Sequence, residues 1–254
     1  MKTRQQKLEF ALVPMCLGAL VPLLLASTDL SAFGQQPGVH YYYQASAPPG
    51  AIGAWQLQRG GPLPGYYQPV AIKGPAGASV SLVADGRFEQ AQPGPRKVGL
   101  LIGAVYRLAV SNIPLNPGLE VYPTIELIDR LYPPLGQERR FAIPVELTQE
   151  DLQLALEGKF VTRVIYLEDP QNPTPVQQIN NASAWFDVGP GRDPLAVADA
   201  LGRPVAILRL GGRVPDSEEV SSMSFLYGCP PWLDYHEAVP PADGRQQLGN
   251  QKHL

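Results

Sequence analysis

Histidine and cysteine are scarce in this chain. His40, His236 and His253 are its three histidines, and Cys16 and Cys229 its two cysteines, in 254 residues. The histidines fall near the ends, so a histidine-dependent nucleophile or a zinc site with paired Cys or His ligands has no material in the middle of the chain. Formal net charge is only −3. Such a mild acidic balance supplies no electrostatic reason to bind nucleic acid or an anionic membrane. Nucleotide signatures are missing too: "GPAGAS" lacks the lysine of a phosphate-binding loop, and no G-x-G-x-x-G opens a helix after a strand. No G-x-S-x-G occurs. No cofactor is expected.

Long apolar runs are confined to one place. After MKTRQQK comes "FALVPMCLGALVPLLLA", followed by polar residues and Ala32-Phe33-Gly34, the order of a secretory signal over residues 1–34. The alternative is an uncleaved anchor, because the run approaches the roughly 20 residues that span a bilayer; Glu9, Pro14 and Pro22 weigh against it. Pro14-Met15 before Cys16 is not the small-residue pair of a lipoprotein signal. Cleavage removes three basic and two acidic residues, leaving the remainder slightly more acidic. It also leaves Cys229 alone, so no intramolecular disulfide forms and packing must supply the stability.

Proline and glycine are abundant, at 28 and 25 residues, and mark turns and arms. Residues 35–65 read as a Pro/Gly/Tyr-rich linker, with Tyr41, Tyr42, Tyr43, Trp55, Tyr66 and Tyr67 as aromatics resting on the domain or meeting a partner. From residue 66 to 214, β-branched and aromatic runs bounded by turn residues predict strands at 67–73, 78–84, 98–102, 104–112, 119–129, 140–147, 160–168, 185–188 and 205–210. Two short helices interrupt them. Thr148 suits an N-cap with Asp151 three residues on and Gly158 a left-handed stop; Asp193 suits a second N-cap, with Pro194 first in the helix and Gly202 its stop. The expected fold is mainly β: a single immunoglobulin-like β-sandwich with two short capping helices and disordered or extended arms. Residues 215–254 read as a disordered tail, with Phe225, Leu226, Tyr227 and Trp232 able to dock on the domain or on a partner.

The acids of "NPGLEVYPTIELIDRLYPP" pose the sharpest chemical question. Strand alternation puts Leu119, Val121, Ile125, Leu127 and Leu131 on a core face and Glu120, Tyr122, Thr124, Glu126, Ile128 and Arg130 on a wet one. Six residues of strand separate Glu120 from Glu126 by roughly 20 Å, too far for a glycosidase pair at about 5 to 9.5 Å. Glu126 and Arg130 are expected in solvated cross-strand pairs, and Asp129 at a turn or bulge.

Other clusters match no site pattern. Cys229, Asp234, His236 and Glu237 lack zinc spacing. Glu168, Asp169, Asn172, Asn180 and Asn181 lack the calcium-loop pattern. Arg192, Arg203, Arg209 and Arg213 are read as a solvated, mixed-charge face interspersed with Asp193 and Asp199. Asn181-Ala182-Ser183 is a glycosylation sequon. No catalytic, cofactor-binding or metal residue is assigned.

The segments "GLLIGAVYRLAVSNIPLNPGLEVYPTIELIDRLYPP", "ELTQEDLQLALEGKFVTRVIYLEDP" and "DPLAVADALGRPVAILRLGGR" resemble uncharacterised exported proteins of planctomycete bacteria. The likeness covers residues 66–214. It implies an envelope setting and carries no site across. The expected function is that of an exported, non-enzymatic structural or protein-interaction module in the periplasm, cell envelope or extracellular space. Its partners would be envelope proteins or glycans, with membrane contact only through an uncleaved N-terminus. A carbohydrate or small-ligand module presenting Tyr122, Tyr132 or Trp185 is the alternative, and a hydrolase with carboxylates from separate strands the third reading.

Overall fold

The computed structural model describes residues 44–171, 187–189 and 191–235. The leader at 1–34, Trp185, Asn172, Asn180, Asn181, Glu237 and all three histidines lie outside them. Among the described residues, thirteen strands and three α-helices make the fold mainly β. In chain order they are α1 (Ala51–Gln58), β1 (Tyr67–Lys73), β2 (Ser79–Ser81), β3 (Val83–Ala84), β4 (Arg87–Phe88), β5 (Gln92–Pro93), β6 (Arg96–Leu101), β7 (Val105–Arg107), β8 (Ala109–Ser111), β9 (Thr124–Leu127), β10 (Ile143–Glu146), α2 (Gln149–Leu156), β11 (Val161–Glu168), α3 (Pro194–Leu201), β12 (Gly202–Leu210) and β13 (Trp232–Asp234).

Two four-stranded sheets dominate. The first has the order β10-β1-β6-β13, with β1 and β10 parallel and the other pairs antiparallel. The second, β11-β12-β9-β7, is antiparallel throughout. A three-stranded sheet β5-β2-β8 and the hairpin β3-β4 complete the set, and none closes into a barrel among the described residues. Val70 and Ile72 of β1, Val98 and Leu100 of β6, and Ile143 and Val145 of β10 join Ile125, Leu127, Ala206, Leu208 and Leu210 of the second sheet in one hydrophobic cluster, with Leu152 and Ala155 of α2 against it. Each such fully buried side chain contributes about 1.5–3 kcal/mol.

Strand β12 is buried on both faces, because the second cluster lies on its far side. There Ile207 meets Ile52 of α1, Leu195 of α3, Ala45 and Ile128. Both expected caps form. Thr148 Oγ1 accepts from the Asp151 amide at 3.1 Å, and Asp193 Oδ1 accepts from the Leu195 amide at 3.3 Å and the Ala45 amide at 2.9 Å. Gly158 is left-handed as expected, at φ +81°. Gly202 is not: it ends α3 in an extended conformation, and a Cβ there would stand 2.0 Å from the Leu167 carbonyl oxygen. Close strand approach, not handedness, requires that glycine.

The strand expectations change in three places. The strand predicted at 119–129 shrinks to Thr124–Leu127; Pro123 has no N–H to donate, Val121 forms only an isolated bridge with Val110, and Leu119 is half exposed. Residues 78–84 and 104–112 each divide into two short strands around Leu82 and Leu108. At 187–188, the part of the 185–188 strand within the described residues, there is no strand.

The segment read as a linker contains α1, and Ile52 within it is fully buried. Gly53 is the reason it packs: a Cβ there would lie 2.8 Å from Gly103 Cα and 3.0 Å from the Leu127 carbonyl. The segment read as a tail is likewise structured through residue 235. Phe225 and Leu226 are buried with Val83, Ala109 and Tyr122; Trp232 Nε1 donates to the Val83 carbonyl at 2.8 Å; and β13 pairs with β6. Gly99 makes room for Tyr235, whose hydroxyl a Cβ would meet at 2.8 Å and whose ring at 3.0 Å.

Candidate functional site

Of the two acids expected on a wet face, Glu120 is exposed and Glu126 is not. Glu126 is fully buried, as are Ile128 and Thr124 on the same alternation, because α1 and the 45–47 segment cover that side of β9. Its Oε2 accepts from Arg209 Nη1 at 2.7 Å and its Oε1 from the Gly53 amide at 2.9 Å. Arg209, 4% exposed, also donates to the carbonyls of Ala45 and Ala47, each at 3.4 Å. The cross-strand pair exists, then, but is dry. Asp129 does sit at a bulge: the amides of Ile128 and Asp129 both reach the Val205 carbonyl, at 2.9 and 3.2 Å. Its carboxylate accepts from Arg203. Arg130 stacks on Tyr66 and Tyr132, 4.9 and 4.3 Å from their centroids.

The arginines do not form one solvated face. Arg209 is interior, Arg203 is held by Asp129, Arg213 pairs with Glu219, and Arg192 lies exposed near a different cleft. Tyr122 is buried and no open platform. It is flanked by Phe88 and Phe225, at 5.7 and 5.6 Å between centroids. Burial, then its hydrogen bond to Glu120 and that carboxylate's charge, push its phenol up to about 12. Tyr132 is exposed, with Arg130 and Arg203 over its ring. Cys229 is a half-buried free thiol, Asp234 meets Arg96 at 3.5 Å, and Asp169 accepts from the Gln171 amide. Among the described residues, no three Cys, His, Asp or Glu side chains cluster to hold a metal.

Two clefts are built around the second sheet. One of about 470 Å³ lies beside β11, between α2 and α3. Glu146, Glu150, Asp151 and Asp187 line it, but Asp151 is consumed by a bidentate pair with Arg163 at 2.6 and 2.7 Å.

The other, of about 400 Å³, opens at the end of the sheet where β7 and β12 finish and β9 and β11 begin. Its floor carries Thr124 and Arg209; the 158–160 and 211–213 turns, the 45–49 segment, Phe225 and Tyr227 form its walls. No acidic residue lines it, whereas Arg107, Lys159, Arg209 and Arg213 all do. Arg209 and Arg213 have carboxylate partners, and Lys159 pairs with Glu157 at 2.8 Å. Arg107 differs. It donates to the carbonyls of Phe225 and Tyr122, at 3.2 and 2.8 Å, and lies over the rings of Phe225 and Tyr227, at 4.4 and 4.9 Å. No carboxylate among the described residues pairs with it. Burial lowers its pKa from the ordinary arginine value, opposed by the Tyr227 phenol that hydrogen-bonds to it and aided by the nearby Arg213 charge.

Arg107, Lys159 and Phe160 carry no motif, which is why the sequence reading passed over them. A signal existed: Arg107 interrupts the apolar run "AVYRLAV", and "GKF" and "GGR" each set a cation just after glycine at the end of an element. No protein-family model matches the chain, and no curated protein or solved structure is significantly similar to it.

Proposed function

We propose that this chain is an exported, non-enzymatic interaction module of the bacterial cell envelope, folded as a β-sandwich, whose binding face is the cationic cleft at the end of the second sheet. The two four-stranded sheets that contribute to one core support the sandwich. The parallel β1–β10 pair departs from the all-antiparallel immunoglobulin arrangement, so the proposed sandwich is of mixed type. One observation carries the binding role: an open cleft of about 400 Å³ joins an arginine with no carboxylate partner among the described residues to the exposed ring of Phe160. Ligand pockets combine apolar surface with a few fixed polar groups in this way. Glu126, beside the floor, is already held by Arg209 and a backbone amide, which argues for a scaffold role over proton transfer.

The test is photo-cross-linking in intact cells, with a photoreactive residue at position 160 of the full chain. Adducts with envelope proteins or glycans are expected in the envelope fraction. Adducts confined to the cytoplasmic fraction, or none at all, would overturn the proposal.

A further inference from the structure

Resting on that reading of the cleft as the binding face, we propose that its ligand is an acidic glycan, with the carboxylate or phosphate of one sugar against Arg107 and a pyranose ring on Phe160. Arg107 supplies the anion side. A half-buried guanidinium is compensated here by two carbonyl dipoles, two ring faces and the Tyr227 phenol, with no carboxylate among the described residues, and an incoming oxyanion completes that pairing. Arg107 and Arg213 repel one another across the cleft, and a ligand anion between them relieves that repulsion as well.

Phe160 supplies the ring side. It follows Gly158 and Lys159 in the turn after α2 and remains 70% exposed, a large apolar surface with nothing packed over it to explain its position. The negative face of an aromatic ring suits the weakly positive C–H face of a sugar. A cleft of about 400 Å³ lies within the range of pockets that hold small ligands.

Two other anionic polymers fit less well. An extended acidic peptide is recognised by main-chain pairing along a sheet edge or by a cluster of available arginines, whereas this cleft lies across strand ends and its Arg209 and Arg213 already face carboxylates. A nucleic acid presents a dense run of phosphates, whereas three of the four cations here already face a carboxylate. One unmatched charge beside one free ring suits a sparsely charged chain of sugars.

Calorimetric titration of the full chain separates these cases, using a galacturonic acid trimer, a galactose trimer, a glucose phosphate, inorganic phosphate and an oligoglutamate. Binding of the uronate or the sugar phosphate is expected, and whichever arm responds identifies the anion as carboxylate or phosphate. Phe160→Ala, at an exposed position, should weaken it about tenfold. Arg107→Met should abolish the preference for the acidic trimer over the neutral one, its fold being checked by near-ultraviolet circular dichroism. Equal affinity for the neutral trimer, for inorganic phosphate or for oligoglutamate would overturn the proposal, as would an unchanged Phe160→Ala variant or no binding to any probe. Should no probe bind while the envelope adduct at position 160 persists, this inference falls and the binding-module reading stands; loss of the adduct removes both.

Discussion

Two acid–arginine pairs run from β9 and its end to the same neighbour, β12, and they differ in how far water reaches them. Glu126 and Arg209 are 0% and 4% exposed, and Asp129 and Arg203 12% and 39%. The residues are three apart on one side and six on the other, so neither composition nor neighbouring strand separates them. What does is the cover: α1 and the 45–47 segment lie over Glu126 and Arg209 and donate or accept every remaining hydrogen bond, while Asp129 sits at a bulge and its partner Arg203 is left partly exposed. An acid on a strand is wet or dry according to what a distant segment does.

The largest expected effect breaks that contrast at its dry end. Glu126→Ala strands a buried guanidinium and the Gly53 amide and should cost about 3–5 kcal/mol in urea unfolding. Combining Glu126→Leu with Arg209→Met should recover most of it, since replacing a buried pair by apolar groups is often neutral or stabilising. A double variant as unstable as the single would show that the pair itself, rather than the orphaned charge, carries the energy. Next in size is Gly53→Ala, which puts a methyl against Gly103 and the Leu127 carbonyl and should cost about 1–3 kcal/mol by lifting α1 off the pair.

The same cover explains what was legible in the sequence. β1, β11 and the β12 core read correctly from β-branched runs, and Thr148 and Asp193 from capping chemistry, because those signals are local. Glycine and proline in 35–65 suggested an extended chain, yet Gly50 and Gly53 start a helix and let it approach the sheet. Alternation likewise placed Glu126 correctly on the face opposite Ile125 and Leu127, but that face is wet only if nothing covers it. The cleft was hidden for a related reason. Arg107, Phe160 and Tyr227 come from three distant parts of the chain and meet only through the sheet register and the docking of the segment after residue 215.

Alkaline titration probes how tightly that C-terminal segment is docked. Tyr106 Oη donates to the Pro231 carbonyl and accepts from the Leu101 amide, each at 2.8 Å, and burial raises its pKa; burial also raises Tyr122, to about 12. Both phenols keep their protons in the fold at a pH where an unfolded tyrosine, with a pKa near 10, has lost its own. The unfolded chain then binds fewer protons, so the stabilisation is complete below about pH 10 and declines as pH rises through the folded values. Tyr106→Phe should lose about 1–3 kcal/mol at neutral pH through its two orphaned partners. It should also flatten the alkaline fall in melting temperature. An unchanged alkaline slope would place the titrating groups elsewhere.

The smallest effects belong to the wet end of the comparison. Asp129→Asn keeps one acceptor oxygen for the Arg130 amide and puts an NH2 in place of the oxygen that Arg203 meets, losing a partly solvated charge pair, for which about 1 kcal/mol is expected. Arg213→Ala removes a pair whose arginine is 69% exposed, and unfolding should move by no more than about 0.5 kcal/mol. That near-silence in stability gives the variant its use: Arg213 lines the cleft, so a substitution invisible to urea should still weaken an anionic ligand there. A drop in stability as large as that of Glu126→Ala would mean that the rim of the cleft is part of the fold's support, and that the division between a dry structural pair and a wet binding surface is drawn in the wrong place.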